Sequence, residues 1–147
     1  LRKSWLSALY WYFVGCCEPS DARATICYST CLESLAASDG ASAIVDLCDL
    51  VLMPKTGAFL LPRRKWTLQD CVNAMYQTAR SEVVHGGRFV LDEEYDGERS
   101  VSAELSRYVL LLLRERLARY EIAFGGRDES DRNDVFLRWL TAQRRQS

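Results

Sequence analysis

The chain has 147 residues, 48% hydrophobic and 11% aromatic, which excludes a disordered chain and is enough to bury one core without disulfide or metal staples. A formal charge of −1 does not suit a protein that coats nucleic acid nonspecifically, so any contact with RNA has to be local. The longest aliphatic run, Val109 to Leu113, falls far short of the roughly 20 residues of a membrane-spanning helix, so no membrane partner is expected.

A start at Leu1 rather than Met is expected of a trimmed chain or a piece of a larger protein, with room for a regulatory domain or partner protein. Ser4, Ser7, Tyr10 and Tyr12 break the first apolar stretch and argue against a signal peptide. It reads instead as a folded helix from about Ser4 to Cys17, stopped before Pro19, with Trp5, Leu9, Tyr12 or Phe13 and Cys16 as its inner stripe. Ser20 or Asp21 caps a second helix whose stripe is Ala24, Cys27, Tyr28, Cys31, Leu32 and Leu35, and the two form an antiparallel hairpin. A third helix, Ala41 to Leu52, turns Ile44, Leu47, Cys48 and Val51 to one side.

Positions 54 to 65 hold two prolines, a glycine and the basic triplet Arg63-Arg64-Lys65, a long connection with local RNA-binding potential. Thr67 then opens a helix in which its hydroxyl accepts from the N3 amide and Asp70 sits at the positive end of the dipole. Cys71, Val72, Met75, Tyr76 and Ala79 lead to Arg80, and Val83-Val84 with Gly86-Gly87 end the helix. Arg88 to Arg99 reads as a charged loop, followed by a long helix from Ser100 to about Tyr120 with Leu105, Tyr108, Val109, Leu112, Leu113 and Arg116 in its stripe. That stripe is wide enough for a bundle core or a dimer seam. A terminal helix, Asp131 to about Gln143, docks Val135, Phe136 and Trp139, which completes a single all-α domain of five to six helices. The six cysteines fall mostly inside apolar stripes, so reduced thiols are expected. Cys27 and Cys31 share a helix face, but no second pair completes a zinc pattern, so neither metal nor cofactor is expected.

His85 is the only histidine, and it follows Arg80 by five positions. An imidazole with an unperturbed pKa of about 6.5 exchanges protons near neutrality, and a guanidinium beside it can hold a phosphate, which together suit phosphodiester chemistry. The same placement also suits a cation that neutralises the carbonyl end of a helix. On a regular helix the two side chains stand about 140° apart, so they converge only where the helix end turns.

Ala8-Leu9-Tyr10-Trp11-Tyr12, Asp21-Ala22-Arg23, Leu32-Glu33-Ser34-Leu35 and Arg80-Ser81-Glu82-Val83-Val84-His85-Gly86 occur in the order of a HEPN domain, and over about residues 5 to 120 the chain resembles the Apea-like branch of that family. The resemblance implies a helical bundle that pairs about a two-fold axis so that two Arg-x4-His elements face one cleft, acting as a metal-independent endoribonuclease. Many such proteins serve prokaryotic antiviral defence or toxin systems, and a cytoplasmic location is expected with that role. By position, Arg80 and His85 are the implied catalytic pair and Glu33 the acid that orients or balances the arginine. Ser81 or Tyr76 would contact the phosphate or its partner residues, with Arg88 and Arg63-Arg64-Lys65 as further RNA contacts. The residue two places after the histidine, a modifiable tyrosine in some HEPN toxins, is Gly87 here, which argues against that regulation. Cleavage through the RNA 2′-hydroxyl needs both a base and an acid, and one histidine cannot fill both roles at once, whereas two chains can. The alternative is a non-catalytic helical dimerisation or interaction module.

Overall fold

Gly15 and Tyr28 set the spacing between the first two helices. A Cβ on Gly15 would lie 2.7 Å from Cε1 of the Tyr28 ring, so only glycine lets the first two helices approach this far. In the computed structural model, which describes residues 1–36, 38–53, 65–76, 96–127 and 130–145 (backbone alone at 96–98), these helices are α1 (Arg2–Cys17) and α2 (Asp21–Leu35). They run antiparallel: Ser7 Oγ meets Ser34 Oγ at 3.1 Å, and the Tyr12 and Tyr28 rings lie 5.7 Å apart. Every residue expected in the α2 stripe is buried, and the Ser20 hydroxyl accepts from the Arg23 N–H as the helix cap.

The expected inner stripe of α1 is corrected by the structure. Leu9, Phe13 and Cys16 face outward, while Ala8 and Gly15 are buried and Trp5, Trp11 and Tyr12 are partly buried against the core. The helix is apolar nearly all round, so periodicity alone did not identify the face that its small residues allow to pack closely.

α3 (Ala41–Leu52) keeps its expected bounds and buries Ile44, Leu47, Cys48 and Val51. α4 (Leu68–Asn73) begins at Thr67 and passes into a wider turn over 74–76. α5 (Asp96–Phe124) starts before the expected Ser100 and ends after the expected Tyr120, stopped at Gly125-Gly126, where Gly126 has φ +83°. Its buried face includes Leu105, Val109, Leu110 and Leu113, whereas Tyr108, read in the same stripe, is 48% exposed. α6 (Asn133–Arg144) starts two residues later than expected and buries Phe136 and Leu140. The described residues thus form an all-α bundle in which α1 packs on α2 and α5, while α3 and α4 pack on each other and on α5.

Polar side chains close the helix ends. Arg116 of α5 donates to the Leu50 and Val51 carbonyls at 3.3 and 3.0 Å, and Asn133 of α6 donates to those of Leu35 and Ala36 at 3.2 and 3.3 Å. These bonds satisfy the last carbonyls of α3 and α2, which have no partner within their own helices. No described helix is long and apolar enough to cross a membrane.

Candidate functional site

α4 is held at its first turn by a reciprocal cap. The Asp70 N–H donates to Thr67 Oγ1 at 3.3 Å, while the Thr67 N–H and hydroxyl donate to Asp70 Oδ2 at 2.8 and 2.7 Å. The hydroxyl, with help from the N–H, holds the Asp70 carboxyl below its ordinary pKa. Past the cap, Leu68, Cys71, Val72 and Met75 are buried against the bundle, and Tyr76 is partly buried at the end of the wider turn. The segment that continues toward Arg80 therefore leaves from an anchored helix.

Of the residues singled out in the sequence, Arg80, Ser81, His85, Arg88, Arg63 and Arg64 lie outside the described residues. Lys65 is exposed just ahead of the α4 cap, with a left-handed φ of 54°. Glu33 lies near the end of α2, where its Oε1 accepts from the N–H of Gly40, the residue that starts α3. Glu33 thus helps fix the α2–α3 corner. α3 and α5 each pack on both α2 and α4, and so link the helix of Glu33 to that of Tyr76.

Three thiols mark the junction of those helices. Cys31, Cys48 and Cys71 come from α2, α3 and α4, and all are buried. Burial pushes the Cys31 thiol up to about 12 and Cys71 to about 11, and raises Cys48 as well. Buried, with the neutral thiol favoured, these side chains pack as small hydrophobes. Among the described residues no three His, Cys, Asp or Glu side chains converge as a metal site would require.

A cavity of about 340 Å³ opens beside α4, lined by Leu52, Cys71, Ser100, Val101, Glu104, Leu105 and Tyr108. Its described lining is mostly apolar, with Ser100 and the Glu104 carboxylate as polar groups, and offers no cation to a phosphate.

One ionic anchor was not legible in the sequence. Arg99 was expected in a loop, yet it stands in the first turns of α5, pairs with the Asp21 carboxylate and donates to the Glu18 carbonyl at 3.0 Å. It ties the end of α1 and the start of α2 to α5, a role that only the earlier helix start could have disclosed. No family model, curated protein or solved structure matches the chain.

Proposed function

We propose that the protein is a metal-independent endoribonuclease of the HEPN type, with His85 as the proton-transfer group and Arg80 as the phosphate clamp. The observation that carries this reading is the Arg80-x4-His85 spacing in the stretch of sequence that follows the helix capped by Thr67. The all-α bundle and the seating of Cys71, Val72 and Met75 are consistent with it, because they fix the origin of the segment that bears the pair. An imidazole is suited to acid–base work near neutral pH and a guanidinium to charge stabilisation at phosphorus. In this reading one histidine takes the 2′-hydroxyl proton and a second, from a two-fold partner, protonates the leaving 5′-oxygen. A role in antiviral defence or a toxin system, in the cytoplasm, belongs to the same proposal.

The test is incubation of the wild-type chain and His85→Ala with total RNA in EDTA. Cleavage by the wild type that leaves 2′,3′-cyclic phosphate ends and is lost in the variant is the expected result. Full activity of His85→Ala would overturn the assignment. A second reading, a non-catalytic interaction module, is favoured by the exposed apolar face of α1, and absence of cleavage by both chains would move the weight to it.

A further inference from the structure

Three arginines from two helices line one cavity at the corner where α3 ends against α5 and α6. The cavity, of about 170 Å³, takes Arg116 and Arg119 from α5 and Arg144 from α6, with Met53, Trp139 and Leu140 as its apolar wall. Its described lining contains no acid, and Gln143 is the other polar group. Guanidinium groups gathered in this way repel one another, and the apolar wall weakens the screening that water would give them.

The three charges are balanced to different degrees. Arg116 donates to the Leu50 and Val51 carbonyls, which engage the negative end of the α3 dipole but supply no formal anion. Arg144 donates to Asp49 Oδ2 at 2.6 Å, and with both side chains more than 40% exposed such a pair is worth under about 1 kcal/mol. Arg119 is exposed, and no described carboxylate pairs with it. Glu115 is an exposed acid outside the lining, and its pull on Arg116 is weaker than the push from Arg119. Burial, and after it the Arg119 charge, therefore holds Arg116 below its ordinary pKa. Asp49 offsets one of the three guanidinium charges and leaves two.

A phosphate monoester carries about −1.5 to −2 near neutral pH, which matches that excess, and its oxygens accept charge-assisted bonds from guanidinium groups. The volume is below the roughly 300 Å³ at which pockets for drug-sized ligands begin, so it suits a phosphoryl group and the first atoms attached to it rather than a whole nucleotide. We propose that this corner binds a compact phosphate monoester, with Arg119 as the principal contact, Arg144 as a contact released from Asp49, and Arg116 as a fixed charge held by the end of α3. The proposal does not rest on the nuclease reading, because none of these residues belongs to the stretch that bears Arg80 and His85.

The test is isothermal titration calorimetry of the full chain at neutral pH and low salt, with methyl phosphate and dimethyl phosphate as probes. The monoester should bind with a Kd of about 1 mM or tighter, and the singly charged diester far more weakly. Arg119→Gln should weaken monoester binding about tenfold through loss of a charge-assisted bond, with the helical circular dichroism and its thermal midpoint unchanged. Asp49→Asn should tighten binding about threefold, because it frees Arg144 and removes a competing carboxylate. That gain is opposite in sign to anything a damaged fold would give. Absence of saturable monoester binding by the wild type overturns the proposal, as does unchanged affinity in Arg119→Gln or weaker affinity in Asp49→Asn. Equal affinity for the diester describes a general cationic surface and also overturns it. So does binding through Arg119 confined to an RNA oligomer without terminal phosphate, which assigns the corner to a nucleic-acid backbone.

Discussion

The contact of Gly15 with Tyr28 sets two effects against each other at a single residue. Alanine is the better helix former by about 1 kcal/mol, yet its methyl group would meet a ring that is only 3% exposed and has no room to withdraw. Overpacking of this kind costs about 1–3 kcal/mol, so Gly15→Ala should lower stability in urea melts despite its better propensity. An increase in stability would mean that α1 slides freely on α2. The cysteines divide by the same logic of burial. Cys16 and Cys17 are exposed, and Cys27, Cys31, Cys48 and Cys71 are buried. A chromogenic disulfide reagent at neutral pH should therefore titrate the first two rapidly and the other four only as the protein unfolds. The raised pKa values also fix a pH dependence. In the unfolded chain these thiols lose their protons near their ordinary pKa, before they do in the fold, so above about pH 9 the folded state binds more protons. Stability contributed by the buried thiols is complete below that pH and falls as pH rises toward 11 and 12, the values for Cys71 and Cys31. The denaturation midpoint should drop across this window, and a Cys31→Ala, Cys71→Ala variant should show a shallower drop.

At the scale of elements, α4 shows what a short helix needs in order to anchor the segment that follows it. It has few residues of its own to hold it, so its cap counts for a large share of its order. Removing the Thr67 hydroxyl should cost about 1 kcal/mol, and combining Thr67→Ala with Asp70→Ala should cost less than the sum of the two, because the groups form one reciprocal unit. If Arg80 and His85 are the working pair, Thr67→Ala should also lower RNA cleavage more than it lowers global stability. Equal cleavage per folded molecule would separate the cap from the site. This cap was legible in the sequence, as were the bounds of α3, since in both a local signal and the hydrophobic period agreed. The inner face of α1 was not, because apolar residues surround that helix and the deciding feature, room for Tyr28 beside Gly15, belongs to another element. The early start of α5 was hidden for a similar reason: its first turns are charged, and the Asp21 carboxylate and the Glu18 carbonyl that hold Arg99 lie far away in sequence. For the site, the sequence supplied the residue types and their spacing, and the structure adds the anchored helix from which they follow. Glu33 shows the limit of that reading, since its contact with Gly40 is a corner of the fold that no spacing could disclose.

Over the whole molecule, α6 acts as a brace rather than an appendage. Its Phe136 packs edge-on against Tyr120 of α5 at 5.2 Å between ring centres, and Trp139 meets the same ring at 5.4 Å. Its first residue, Asn133, caps α2, and near its end Arg144 pairs with Asp49 of α3 at 2.6 Å. The surface ion pair adds little, whereas the buried ring and the cap on otherwise unpaired carbonyls matter more. Because these contacts reach three different helices, loss of α6 exposes parts of the core belonging to all of them, and the domain should unfold as one unit. Phe136→Ala removes a ring that is 2% exposed and should cost about 3–5 kcal/mol. That loss should appear as an equal shift of the urea midpoint by far-UV circular dichroism and by the fluorescence of Trp139, isolated by difference against Trp139→Phe. If α6 were an independent flap, the Trp139 signal would move to low urea while the circular dichroism transition of the other helices stayed in place.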